Sequence, residues 1–228
     1  MSRAGGPPRR ASYEPGRVPE QRPGATGGAR ERNRQQRTQE LCAAALTLFL
    51  ERGVETTTVD EITREAKVAK GSFYRYFEDK TQLVETLLAP LQREIEAAMT
   101  RCSQALETAP GSEAMVAAYT ALAANLTQLL PSSSGVVRLY LQESRAPAVG
   151  ARTPIASMSE ALRMQAVELT RVAQERGLLK KTPLEPTAVA VVSAIEGVLS
   201  QHFSSGSRLS LDEAATTLIT MVVEGLRA

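Results

Sequence analysis

The sequence predicts an all-α protein of about nine helices, and three observations carry the prediction. From residue 34 onward apolar residues recur three and four apart, no segment alternates apolar and polar residues as a half-buried strand does, and helix start and stop signals punctuate the chain at helical lengths. With 228 residues and 43% hydrophobic content, the chain can bury one sizeable core, or a small domain packed onto a larger one.

Residues 1–33 concentrate Pro, Gly and Arg, as in Gly5-Gly6-Pro7-Pro8-Arg9-Arg10, and hold almost nothing apolar, so a disordered basic arm is expected there. The first helix, about Arg34 to Arg52, sets Leu41, Ala45, Leu48 and Phe49 on one stripe and stops at Gly53. A short second helix opens at Thr58, because Thr58-Val59-Asp60-Glu61 is a capping box that satisfies two orphan backbone donors, with Ile62 and Ala66 pointing inward. The chain turns at Lys67-Val68-Ala69 and enters a third helix running from Lys70 through Phe77.

Asp79 caps a long fourth helix in which Leu83, Leu87, Leu91, Ile95 and Met99 recur every four residues. Pro90 lies inside that pattern and predicts a kink, with a helix break as the competing reading. Gly111 to Leu130 reads as one helix stopped by Pro131-Ser132-Ser133-Ser134-Gly135, and Val136 to Glu143 as a shorter one. Thr153-Pro154 starts another, which Gly177 ends. The last two are about Pro186 to Phe203 and, after the capping box Ser210-Leu211-Asp212-Glu213, Leu211 to Leu226.

The net charge of +2 conceals an asymmetry: residues 1–37 hold nine Arg against three Glu, so this stretch is +6 and the remainder −4. A basic arm on a mildly acidic body suits a polyanionic partner, and equally a solvated tail. No run of about 18 apolar residues occurs and the N-terminus lacks a secretory signal's apolar stretch, so a cytoplasmic protein that does not enter the membrane is expected. Cys42 and Cys102 match no metal spacing and read as small buried hydrophobes. With His202 as the one histidine, and with no nucleophile elbow, phosphate-cradling glycine loop or metal-ligand cluster, neither an enzyme nor a cofactor is expected. A redox sensor pairing Cys42 with Cys102 is disfavoured, since Cys102 lies roughly 30 Å down the fourth helix at about 1.5 Å per residue.

The helix, tight turn and helix at Thr58 to Phe77 carry the chemistry. A helix-turn-helix lays its second helix in the DNA major groove while its first rests on the backbone. Lys70 and Arg75 supply charge, Ser72 and Tyr74 supply hydroxyls, and Gly71 lets the backbone approach phosphates, whereas Phe73 and Phe77, four apart, face the core. Composition alone leaves an ordinary surface helix open. The order and spacing of Leu48-Phe49, Gly53, Thr57-Thr58-Val59, Ile62, Ala66, Lys70-Gly71-Ser72-Phe73-Tyr74, Tyr76-Phe77, Lys80 and Leu83 resemble the TetR family of transcriptional regulators over about residues 34 to 88.

Beyond the basic arm (1–33), that resemblance implies a helix-turn-helix head (34–80) and a helical domain (81–228) that binds a small-molecule effector and holds a homodimer together. It implies a repressor that the effector releases from double-stranded, palindromic operator DNA, with Thr58, Lys70, Gly71, Ser72, Tyr74 and Arg75 facing DNA and Lys80 on a phosphate. Arg75 is the candidate for bidentate reading of a guanine. Two positions depart from the family pattern: Lys67 stands where glycine commonly makes the turn, and Ala69 where a hydroxyl residue commonly caps the recognition helix. Arg30, Arg32, Arg34 and Arg37 are the arm residues nearest the head and could add salt-sensitive contacts.

In the second domain Met115, Tyr119, Tyr140, Met158 and Met164 either line an effector pocket or are plain core, while Arg138 and Glu143, five apart, make a poor joint site. Val192, Ile195, Leu199, Leu218 and Val222 give the last two helices more apolar surface than a terminal pair needs, which suits a four-helix dimer interface or an intramolecular core. On the family analogy a signal would pass along the fourth helix with Pro90 as pivot. A DNA-binding or architectural regulator without any effector is the alternative that the sequence leaves open.

Overall fold

The computed structural model describes residues 28–226 and folds them, without a strand, into eight α-helices and one 3₁₀ turn. Helix α1 (Ala29–Arg52) begins at Ala29, ahead of the apolar stripe that placed its start at Arg34. Gly28 caps it from an extended conformation, and Glu31 sits favourably near the positive end of the helix dipole. Its first turns contain strong helix formers paired along the surface, with Gln36 on Glu40 at 3.0 Å and Arg37 on Glu40 at 2.6 Å. Apolar periodicity is blind to a helix segment that is exposed all round. Residues 1–27 of the expected arm lie outside the described residues.

Gly53, at φ 89°, ends α1, and α2 (Val59–Glu65) follows. Helix α3 (Lys70–Phe73) is a single α-turn rather than a helix reaching Phe77. The next bonds, Arg75 N–H to Ser72 O and Tyr76 N–H to Phe73 O, are of the tighter three-residue kind, so the segment winds down as it passes Tyr74.

Helix α4 (Lys80–Glu107) starts at Asp79, whose carboxylate accepts from Gln82 N–H at 2.9 Å, and runs unbroken through Pro90. Pro90 is on the exposed face, where water can satisfy the carbonyl that the proline leaves unbonded. Helix α5 (Ser112–Glu143) corrects the sequence reading, because it merges the two helices expected on either side of Pro131. An interior proline costs roughly 3 kcal/mol. Burial of Val137 and Leu139 beyond it returns about 1.5–3 kcal/mol each, so packing overrides the stop signal. Gly135 in the same stretch lies close to α1: a Cβ there would lie 2.9 Å from Leu46 Cδ2, so the leucine side chain would have to shift.

A 3₁₀ turn at Gly150–Arg152 leads into α6 (Thr153–Glu175), which Gly177 terminates at φ 70°. Helices α7 (Leu184–His202) and α8 (Leu211–Leu226) close the fold. Lys180 N–H donates to Leu226 O at 2.6 Å and ties the end of α8 to the α6–α7 connection.

Two cores result. The first joins Leu41, Phe49, Ile62, Phe73 and Phe77 of the small N-terminal head to Leu83 and Leu87 of α4 and to Val137, Tyr140, Ile155 and Met158 of the body. The second, further along, gathers Cys102, Leu106, Met115, Leu169, Ala173 and Val223. Cys42 packs on the first and Cys102 within the second, so the thiols sit in separate cores, and burial pushes each up to about 11. No helix among the described residues is long and apolar enough to cross a membrane.

Candidate functional site

The head is fixed by hydrogen bonds that its loops require. Thr58 and Glu61 form the full capping box: Thr58 Oγ1 accepts Glu61 N–H at 3.3 Å, and Glu61 Oε2 accepts Thr58 N–H at 2.9 Å. The Thr58 hydroxyl also donates to Glu61 Oε2 at 2.9 Å, and Arg52 donates to Glu61 Oε1 at 2.9 Å. These bonds, led by the Thr58 backbone, hold the Glu61 carboxyl below the usual carboxylate range. The Thr58 proton is therefore engaged, and reaching a phosphate oxygen with it means giving up Glu61.

Lys67 takes the turn at φ 55°, the one positive φ among non-glycine described residues, so the lysine adopts the left-handed conformation that the missing glycine would have entered freely. Val68 N–H then reaches Thr63 O at 2.9 Å. Ala69 stands at the N-cap of α3 with no side-chain bond to the helix's first backbone donors. Phe73 and Phe77 are buried with ring centres 5.4 Å apart, and they anchor the inner face.

The outer face presents Lys70, Gly71, Tyr74 and Arg75, all exposed, with Ser72 half-buried between them. Tyr74 is 57% exposed and stands edge-on against Phe73, so the buried ring orients the outward one. Lys70 pairs with Asp60 at 2.7 Å, which raises its ammonium further above neutrality. Around Gly71 a Cβ would meet nothing within 4 Å, so the surface there is open to a large partner.

Lys80 corrects an expectation. Its ammonium donates to three carbonyls, Val54 O at 2.7 Å, Glu55 O at 3.2 Å and Thr57 O at 2.9 Å. An ammonium has three protons, so Lys80 is no free phosphate ligand; it laces the α1–α2 loop to the start of α4. Burial pushes its pKa down. Of the arm residues nearest the head, Arg37 is taken up by Glu40.

The seam between head and body depends on residues that sequence reasoning did not select. Glu143, only 4% exposed, accepts Val54 N–H at 3.1 Å and the Arg152 guanidinium at 2.6 Å. Beside it Gln142 donates to Phe49 O at 3.1 Å. Arg138, weighed as Glu143's companion, is exposed; the partner is Arg152, brought back by the 3₁₀ turn.

In the body, helices α4 to α8 surround a cavity of about 740 Å³. Tyr119, Tyr140 and Met158 line it. Met115 does not, being fully buried in the second core, and Met164 is 50% exposed on the outside of α6, so helical phase turns both away. Val192, Ile195, Leu199, Leu218 and Val222, expected at a dimer interface, line the cavity in the single chain, with Ile195 also exposed. The exposed residues on α7 and α8 mix large apolar side chains, Val189, Ile195 and Met221, with small and polar ones such as Ser193, Gly197 and Thr217. The lining also includes Glu196, a lone carboxylate within the apolar run from Val191 to Leu199. That interruption was the signal that could have found it.

A helix-turn-helix head with an outward recognition segment, seated on an all-helical body with an apolar cavity, is the architecture of a DNA-binding regulator. Residues 41–87 match the model of bacterial regulatory proteins, tetR family. The chain is similar to the HTH-type transcriptional repressor BepR of Brucella suis, 25% identical over 196 residues that span 82% of this chain and 90% of the relative. To the repressor KstR2 of Mycolicibacterium smegmatis it is 42% identical over 52 residues, 23% of this chain and 25% of that one. The fold is shared with KstR2 of Mycobacterium tuberculosis (TM-score 0.61, 18% identity, covering 84% of this chain and 95% of the other). It is shared likewise with FadR of Bacillus subtilis in complex with stearoyl-CoA (TM-score 0.62, 15% identity, 82% and 98%).

Proposed function

We propose that this protein is a cytoplasmic, sequence-specific transcriptional repressor that binds a palindromic operator as a homodimer and is released by a small molecule held in the body cavity. The observation that carries the reading is the placement of Tyr74 and Arg75 on the outer face of a head whose inner face is locked into the core of the effector-sized body. Lys70, Gly71, Ser72, Tyr74 and Arg75 form the DNA-facing surface, with Tyr74 on the backbone and Arg75 reading a base edge. Thr58 and Lys80 act behind them by fixing the loops on which α2 and α3 stand.

A second copy is expected on the outer faces of α7 and α8, where small side chains such as Ser193 and Gly197 allow close helix approach. The cavity volume of about 740 Å³ falls within the roughly 300–1,000 Å³ usual for small-molecule sites, which favours an effector over a regulator without one.

The test is binding to the DNA flanking the protein's own gene at two salt concentrations, comparing wild type with Tyr74→Ala. Specific binding abolished by Tyr74→Ala is the expected result. Salt-sensitive binding that ignores both DNA sequence and Tyr74 would leave only a basic tail and sink the reading.

A further inference from the structure

The polar chemistry of the cavity is confined to a few atoms. Thr127, Thr170 and Thr187 reach its wall, but each hydroxyl already donates to a nearby backbone carbonyl, Ala123 O at 2.9 Å, Ala166 O at 2.8 Å and Pro183 O at 2.8 Å. What remains for an occupant is the phenol of Tyr119 and the pair formed by Tyr140 and Glu196. The Tyr140 hydroxyl donates to Glu196 Oε1 at 2.7 Å, and Glu196 Oε2 has no hydrogen bond within the described chain.

Among the described lining residues Glu196 alone carries a charge; Lys, Arg and His are absent from the wall. A carboxylate at an apolar surface is costly unless a counter-charge compensates it, and a phenol supplies one hydrogen bond but no charge. The wall thus offers an anionic occupant no cation, and sets a negative charge against it. It offers a cationic occupant one carboxylate oxygen that no described residue has claimed, surrounded by aliphatic side chains that suit a greasy body.

We propose that the effector is a lipophilic cation whose protonated amine head pairs with Glu196 Oε2 while its apolar body fills the space between α5 and α8. This rests on the reading of the cavity as the effector site and adds to it the sign of the ligand's charge. Tyr140 is the positioning residue: by donating to Oε1 it fixes the carboxylate rotamer and leaves Oε2 toward the occupant.

The experiment titrates the full-length protein by calorimetry with dodecylammonium, dodecanol and dodecanoate, one chain with three heads, and in parallel adds each to the protein bound to its operator. A charge-assisted hydrogen bond predicts that dodecylammonium binds at least about tenfold more tightly than dodecanoate, with dodecanol between. Glu196→Gln should remove the advantage of ammonium over alcohol, and Tyr140→Phe, which keeps the carboxylate but frees its rotamer, should shrink that advantage without abolishing it. The proposal is overturned if dodecanoate binds as well as the amine, if the preference survives Glu196→Gln, or if none of the three binds wild type. Selective amine binding without release of DNA would uphold the cation and remove ligand release. Release driven by dodecanoate would do the reverse.

Discussion

Truncating Glu143 to alanine is the sharpest test of how the head is held. The change strands the Arg152 guanidinium, which sits 2.6 Å from the carboxylate and is itself only 22% exposed, and it removes the acceptor of the buried Val54 N–H. Removing one partner of a buried ion pair costs about 3–5 kcal/mol, and the residual exposure of Arg152 points to the lower end, about 3 kcal/mol. In a chain of this length each kcal/mol is worth about 2–4 °C, so the melting midpoint should fall by about 6–12 °C. Glu143→Gln keeps the volume and an acceptor for Val54 and loses only the charge on Arg152, so it should cost about half as much. Thermal and urea unfolding of the single variants, Arg152→Ala and the double variant close a mutant cycle whose coupling should exceed about 1 kcal/mol. A loss under about 1 kcal/mol for Glu143→Ala, or a cycle with no coupling, would refute the argument that this pair clamps head to body.

Arg75→Ala should weaken operator binding by about 1–3 kcal/mol and relax specificity at one base pair while leaving the melting midpoint unchanged; a uniform loss across all sequences would mark Arg75 as a phosphate contact instead. Lys67→Gly relieves a positive φ and should raise the unfolding free energy measured in urea by up to about 1 kcal/mol, an effect whose absence would show that the turn is not strained. Cys42 and Cys102, raised from 9.0 to about 11 by burial, favour folding while protonated in both states. Their contribution is complete below pH 9 and lost as pH climbs through about 11, because the unfolded chain releases those protons first. Stability should fall over that window, and fall less in the double Cys→Ala variant; equal slopes would contradict the assignment. Pro90→Ala should leave the fold intact and, if α4 pivots there, change effector-induced release; unchanged DNA affinity and unchanged release would rule the pivot out.

The legible part of this protein was the part whose signals are local. The Thr58 capping box, the Asp79 cap, the glycine stops and the inward phase of Phe73 and Phe77 all act within a few residues of themselves, and the structure repeats them. Where sequence reasoning failed, a distant contact decided. Pro131 reads as a stop because the burial that outweighs it comes from α1 and α4, remote in sequence. The apolar residues of α7 and α8 carry no mark telling a cavity wall from a subunit interface, since either one hides them from water. Lys80 resembled a phosphate ligand by position, and only folding revealed the three carbonyls that occupy it.

The unbroken run of α5 has a consequence for anyone who would recombine regulators of this architecture. Tyr140, bonded across the cavity to Glu196, and Glu143, bonded to the backbone of the head at Val54, are three residues apart and hence on the same side of one helical turn. Cavity and head meet there at adjacent rungs. A chimera cut at residue 80, the natural place to separate a head from a body by sequence, would leave behind the socket formed by Gly135, Gln142, Glu143 and Arg152. Transplanted heads should keep their responsiveness only when those four positions travel with them.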